Sequence, residues 1–229
     1  MTAPARTYDV LAELVAYPTD ELRDRLSWAT RDCERVSSAA SAALGRFAEL
    51  APIDDLVALR ELHTRTFDVQ ALTCLDIGYT LFGEDYKRGA LLAGLSREHT
   101  AAGVDCGLEL GDHLSNVLRL IPRMADVALQ RELVEVLVVP ALRAMIREFS
   151  LERIEKKESL YQKHHKTLIE VSEGERRTAY RALLDAVLAF VEEDFGVAVE
   201  PVDETLGKFS RSIGSELAIE DGAACATTG

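Results

Sequence analysis

Cations are scarce in this chain. Lys and Arg total 26 against 39 Asp and Glu over 229 residues, a formal charge of −13. A surface of that sign repels nucleic-acid phosphates and anionic membranes, and it attracts cationic partners such as basic peptide segments. Cysteine is sparse too: Cys33, Cys74, Cys106 and Cys225 are scattered, with no Cys-x-x-Cys pair. The start, MTAPARTYDVLAELV, has no apolar core of signal-peptide length, so disulfides are not expected. Long hydrophobic runs are missing. The most apolar stretch, Val136 to Leu142, lies between Glu135 and Arg143 and is far too short to span a bilayer. These absences read as a soluble cytoplasmic protein, with no nucleic-acid partner and no direct membrane insertion.

The fingerprints of common enzymes are also absent. Gly-x-Gly-x-x-Gly, the phosphate-binding Gly-x-x-x-x-Gly-Lys-Ser/Thr, Gly-x-Ser-x-Gly and His-Glu-x-x-His do not occur. No Glu is followed three residues later by His, which a carboxylate-bridged di-iron site in a helical bundle needs on one helix face. Cysteine and histidine spacings offer no zinc site. The expectation is no catalytic residue, no metal and no cofactor, in a protein that is not an enzyme.

What is present is helical periodicity. Hydrophobic residues make up 48% of the chain, enough for a folded core. Val10, Leu11, Leu14 and Val15 form a short first helix that Pro18 stops, and Thr19-Asp20-Glu21 supplies capping residues for a new start. Leu22, Leu26, Ala29, Cys33, Val36, Ala40 and Phe47 follow as one stripe. Pro52, Asp54 and Asp55 open a helix carrying Leu56, Leu59, His63 and Phe67 on one side.

Further helices are expected from Ala71 to Phe82, Glu84 to Ala102, Asp112 to Ile121 and Ala128 to Phe149, the last kinked or split by Pro140. Residues 151–172 read as a very polar helix. The cleanest stripe is Tyr180, Leu183, Leu184, Val187, Leu188 and Val191. The fold class is therefore all-α, a single-domain helical bundle over residues 1–195, with 196–229 as a flexible tail.

Residues 75–114 hold the candidate binding site. Gly83 and Gly89 read as a hinge around Lys87 and Arg88, and Gly111-Asp112-His113 as a loop before a helix. Asp112 and His113 have two readings. Either Asp112 caps the helix from Leu114 and His113 lies on the surface, or the pair sits at the mouth of a groove and hydrogen-bonds a bound peptide. Arg88 either pairs with Glu84 or Asp85 or serves the site, since cations gain nothing near a helix N-terminus. Tyr79 and Phe82 share one helix face. His63, His99, His164 and His165 read as ordinary face or surface histidines, and Cys33 as packing.

Four segments, in order, resemble one family. Leu11 to Pro18 (LAELVAYP) resembles an opening Leu-rich helix ending in Tyr-Pro. His63-Thr64-Arg65-Thr66-Phe67-Asp68 resembles a Tyr-x-x-x-Phe-Asp motif, with His63 in the Tyr place. Gly83 to Leu92 resembles a Gly-(Asp/Glu)-x-x-x-Arg-Gly-x-x-Leu block. Leu110-Gly111-Asp112-His113-Leu114 resembles a Leu-Pro-Asp-His-Leu loop, with Gly111 in the Pro place. The family is that of the TorD-like molybdoenzyme maturation chaperones, in the branch of the respiratory nitrate reductase delta subunit, NarJ.

The resemblance spans roughly residues 8–190, and Glu158-Ser159-Leu160-Tyr161 extends it. It implies a cytoplasmic chaperone that binds the N-terminal segment of an apo-form molybdoenzyme catalytic subunit until the molybdenum cofactor is inserted. The client would be nitrate reductase, a selenate, chlorate or perchlorate reductase, or a dimethylsulfide or ethylbenzene dehydrogenase. By this resemblance Asp112 and His113 would line the peptide site, supported by Phe67, Asp68, Arg88 and Gly89, with Tyr79 and Phe82 beside them. It also leaves a homodimer open, through helix exchange hinged near Pro140. The competing readings are a helical regulator or scaffold with a different protein partner, and a helical enzyme with an unrecognised site.

Overall fold

Helix α1, Ala5–Val15, ends where Ala16 turns to extended backbone ahead of Pro18, as the proline requires. The computed structural model describes residues 3–69, 71–150, 153 and 178–197. Among these residues the chain is helical without a strand. The next helices are α2 (Leu22–Cys33), α3 (Ser38–Leu50), α4 (Leu56–Phe67), α5 (Ile77–Phe82), α6 (Tyr86–Ala102) and α7 (Leu114–Leu120). A 3-10 turn at Ile121–Arg123 leads to α8 (Val127–Glu132) and α9 (Val139–Arg147). After the undescribed residues 154–177, the final helix is α10, Ala179–Phe195.

The core is built around α10, which packs on α3 and α9, while α1 packs on α2 and α7. Its expected stripe is buried as drawn, apart from half-buried Leu188. Aromatic contacts knit the layers: Tyr8 meets Phe190 edge-on at 5.2 Å and Phe47 meets Tyr180 at a tilt at 5.4 Å between ring centroids. Buried Asp194 of α10 accepts hydrogen bonds from the Ala3 amide and the Tyr8 hydroxyl, both at 2.7 Å. Burial and the Asp194 contact hold the Tyr8 phenol protonated. Cys33 is packing, as expected, and burial pushes its thiol up to about 12.

Several expected boundaries move. The single stripe from Leu22 to Phe47 is two helices, because Ser37 turns extended and its hydroxyl accepts from the Ala40 amide as the cap of α3. The Thr19-Asp20-Glu21 cap does not form; Glu21 stands at the cap site, but its carboxylate takes the Arg25 guanidinium and no backbone amide of the helix. Asp55 does cap α4, accepting from the Val57 and Ala58 amides.

The expected split at Pro140 does not form, since helical residues run without a break from Val127 to Arg147. Leu133–Val138 form a π-helical turn that links α8 to α9 and leaves Pro140 in the first turn of α9, where its missing N–H costs little. Residues 151–172, apart from Arg153, lie outside the described residues, as do His164, His165, the Glu158–Tyr161 stretch and all of the tail after Val197.

Candidate functional site

The expected helix from Ala71 to Phe82 forms only as α5, Ile77–Phe82. The preceding residues have a stronger tertiary partner. The Ile77 amide donates to the Asp112 carbonyl at 2.9 Å and the Leu114 amide to the Leu75 carbonyl at 2.8 Å, pairing Asp76 with His113 in an isolated antiparallel bridge. That bridge brings two sequence-distant segments together and builds the site.

Asp112 is fully buried and does not cap α7. Its carboxylate takes Nε of Arg88 at 2.9 Å and Nη2 at 3.3 Å, while the same Nη2 reaches Asp76 at 2.7 Å. Arg88 therefore pairs with neither Glu84 nor Asp85. Asp85 instead caps α6, accepting from the Lys87 amide at 2.9 Å, so α6 begins at Tyr86 and not at Glu84. A guanidinium fork is the group that can serve two carboxylates in fixed geometry. Burial and the neighbouring Asp112 charge raise the Asp76 carboxyl above its usual range, with Arg88 opposing.

Gly78 explains how the network fits. A Cβ there would lie 2.6 Å from Asp112 Oδ2 and 2.9 Å from Leu91 Cδ2. Only glycine lets α5 come this close to the ion pair.

His113 is buried, not a surface residue, and it caps α7 itself. Its Nδ1 accepts from the Ser115 amide at 3.3 Å and lies 2.8 Å from the Ser115 hydroxyl. A lone pair on Nδ1 puts the proton of neutral His113 on Nε2. Fully buried Asn116 donates its side-chain amide back to the upstream carbonyls of Cys106, Leu110 and Glu109 at 3.1, 3.0 and 3.4 Å. His99 Nε2 donates to the Gly111 carbonyl at 3.0 Å. The loop before His113 is pinned from within.

The second part of the site is an aromatic cluster on α4. His63 and His99 are both buried, so of the two expectations, face or surface, they take the helix-face one. The His63 ring lies 5.4 Å from Tyr17, 4.9 Å from Phe67 and 5.4 Å from Tyr180. Its Nε2 donates to the Val15 carbonyl at 3.4 Å, leaving Nδ1 and the Tyr180 hydroxyl buried without a hydrogen-bond partner. Phe67 is thus a core residue, and exposed Asp68 follows the end of α4. Beside the cluster an open hollow is lined by Tyr17, Val57, Arg60, Glu61, Thr64, Arg65 and Val69.

No protein-family model, curated protein or solved structure matches the chain. The site is read from its own geometry.

Of the expected site residues, Arg88, Asp112, His113 and Tyr79 come together, the last with the Arg88 guanidinium 5.4 Å from its ring centre. Phe67 belongs to the aromatic cluster, and exposed Asp68 stands just outside it. Phe82 is half-buried at the end of α5 and joins neither. Gly89 is no hinge: it lies inside α6 with open space around it, and the turn belongs to Gly83, whose φ of +63° suits glycine. Asp76, Gly78, Asn116 and His99 were missed. Asp76 and Gly78 had one signal, their place in the Leu75–Phe82 stretch of the candidate region.

The two parts of the site are electrostatically linked. Burial is the main cause holding His63 below the usual histidine range, opposed by the Val15 carbonyl, Asp68 and Glu109, while His113 adds to the lowering. Burial likewise lowers His113, with Glu109, Asp76 and Asp112 opposing. The unfolded chain takes up these protons near pH 6.5 and the folded chain only at lower pH. Stability is therefore full above pH 6.5 and falls as pH drops toward the folded values. Asp76, with its raised carboxyl, works in the opposite sense at more acid pH.

Urea unfolding should lose stability between about pH 7 and 5, by at most about 1.4 kcal/mol per pH unit for each histidine. His63→Gln should flatten that slope. An unchanged slope would remove His63 from this account.

Proposed function

We propose that this protein is a maturation chaperone of the TorD/NarJ type, which holds the N-terminal segment of an apo-form molybdoenzyme catalytic subunit during cofactor insertion. One observation carries the reading: the four family-like segments are in contact two by two. The first, ending in Tyr17-Pro18, meets the second through Tyr17 and the Val15 carbonyl on His63. The third meets the fourth through Arg88 on Asp112. Glu109 and His113 act on His63 across the gap between the pairs. Segments that resemble a family at separate places in the chain thus form two contacting pairs here.

The chemistry suits the task. Exposed apolar side chains at Tyr17, Val57 and Val69 around the α4 hollow offer contact to an amphipathic helix. A charge of −13 draws a basic leader. Release on cofactor insertion requires that the immature client bind more tightly than the mature one. Asp112, locked by Arg88, is a framework residue in this scheme, whereas His113 engages Ser115 through Nδ1 and leaves Nε2–H without an acceptor among the described residues. No catalytic role, metal or cofactor of the chaperone itself enters.

The test is calorimetric titration with synthetic N-terminal segments of each molybdoenzyme catalytic subunit in the source proteome. One should bind with a Kd on the order of micromolar, more weakly as salt rises from about 0.05 to 0.5 M. Deleting the chaperone should leave that enzyme without its cofactor. Binding of none of the segments would overturn the proposal.

A further inference from the structure

We infer that the loop from Asp105 to Leu110 is a docking element for a cationic amphipathic segment of the partner, with Leu108 and Leu110 as its apolar anchors and Asp105 and Glu109 as its charge readers. The inference rests on the chaperone reading above and names the partner's chemistry at a place outside the expected site residues.

The loop presents its apolar side chains at a structural cost. Leu108 is fully exposed at 105% and Leu110 at 51%, two residues apart. An isolated exposed leucine is ordinary, and on a loose loop such a pair would fold back onto the surface. This loop is held out. The Asn116 amide, itself fully buried, takes the carbonyls of Cys106, Glu109 and Leu110. The His113 amide takes the Leu110 carbonyl again at 3.0 Å, and Asp105 Oδ1 accepts from the Gly107 amide at 2.9 Å. With its backbone satisfied inward, the loop needs no partner strand, and its leucines are already placed for contact. Preorganisation of this kind lowers the entropy cost of binding.

Two observations choose the occupant. The loop carries the exposed carboxylates Asp105 and Glu109, with no Lys or Arg between Gly103 and Gly111. Behind it, His113 is 8% exposed and its Nε2–H has no acceptor among the described residues. Anionic side chains flanking leucines favour Lys or Arg flanking apolar residues on the partner, and the Nε2–H at the loop's base is a donor that a partner oxygen, such as a backbone carbonyl, can take in place of water. An anionic segment, a nucleic acid or an acidic lipid surface is disfavoured by the same charges.

The experiment uses the full chain and a synthetic amphipathic peptide of about 20 residues, leucines at three- and four-residue spacing with lysines opposite, beside a counterpart with glutamates for lysines. Binding is read by fluorescence anisotropy, and thermal unfolding checks that each variant is folded. The lysine peptide should bind and the glutamate peptide should not. Leu108→Ser with Leu110→Ser should weaken binding at least about tenfold, as expected for anchor residues. Asp105→Asn with Glu109→Gln should weaken it about three- to tenfold and flatten its salt dependence.

Wild-type affinity in both double variants would overturn the docking element while leaving the chaperone reading in place. Equal binding of the glutamate peptide would overturn the charge assignment. Failure of the wild type to bind the lysine peptide, with a genuine client segment still bound, would overturn this inference alone. Failure with client segments as well would remove both. A concentration-dependent dimer by light scattering, abolished by Leu108→Ser with Leu110→Ser, would give the loop to a second copy of the chain and overturn the inference too.

Discussion

Replacing Arg88 by Ala is expected to lower the unfolding free energy by about 3–5 kcal/mol, the cost of leaving a buried carboxylate without its cation. Asp112 has no solvent exposure, and its two contacts with Arg88 are the guanidinium bonds at 2.9 and 3.3 Å. Without them its choices are an unpaired charge among α5 and α6 or protonation, and either removes stability. The backbone makes the loss larger. Asp112 also accepts the Ile77 amide through its carbonyl, so a shifted Asp112 pulls on the bridge that joins residues 75–77 to 112–114. Arg88→Lys should fall between: it keeps the charge, but one ammonium cannot reproduce a fork shared by Asp112 and Asp76. Urea unfolding at pH 7 gives the comparison. A loss below about 1 kcal/mol for the Ala variant would show that Asp112 is not held as described.

The second large effect is expected at Phe67. Phe67→Ala should cost about 3–5 kcal/mol, since it removes a buried ring between His63 at 4.9 Å and Tyr180 at 5.0 Å. The same change distinguishes support from contact. Phe67 is only 6% exposed, so under the proposed function a bound segment would feel it through the shape of α4 and not by touching the ring. Phe67→Leu keeps most of the volume and should recover most of the stability, with client affinity near wild type once the chain is folded. A Phe67→Ala variant that stays as stable as wild type but no longer binds would reverse the assignment and place Phe67 in the contact surface.

Both effects bear on how a binding site can be read from residue order. Asp112 and Arg88 look like surface chemistry in the sequence, being charged residues beside glycines. Folded, they are a closed ion pair. Exposed apolar side chains lie elsewhere, on the pinned loop and around the α4 hollow. A leucine in a Gly-rich acidic loop carries no pattern that marks it as exposed, and Asn116 inside the apolar run of α7 carries none that marks it as a clamp.

The sequence by itself determined the helical character, the stripe that α10 buries, the stop before Pro18 and the cap at Asp55, because each depends on a spacing or a backbone preference within a few residues. It also picked out residues 75–114 as the informative stretch. Tertiary structure decided what those residues do. The bridge between Asp76 and His113 shortened α5, the approach at Gly78 admitted the ion pair, and Arg88 left its local acids for two carboxylates 12 and 24 positions away. A backbone amide or a buried charge takes the partner that best repays its desolvation, and that partner is fixed by how the helices pack, not by what lies next in the chain.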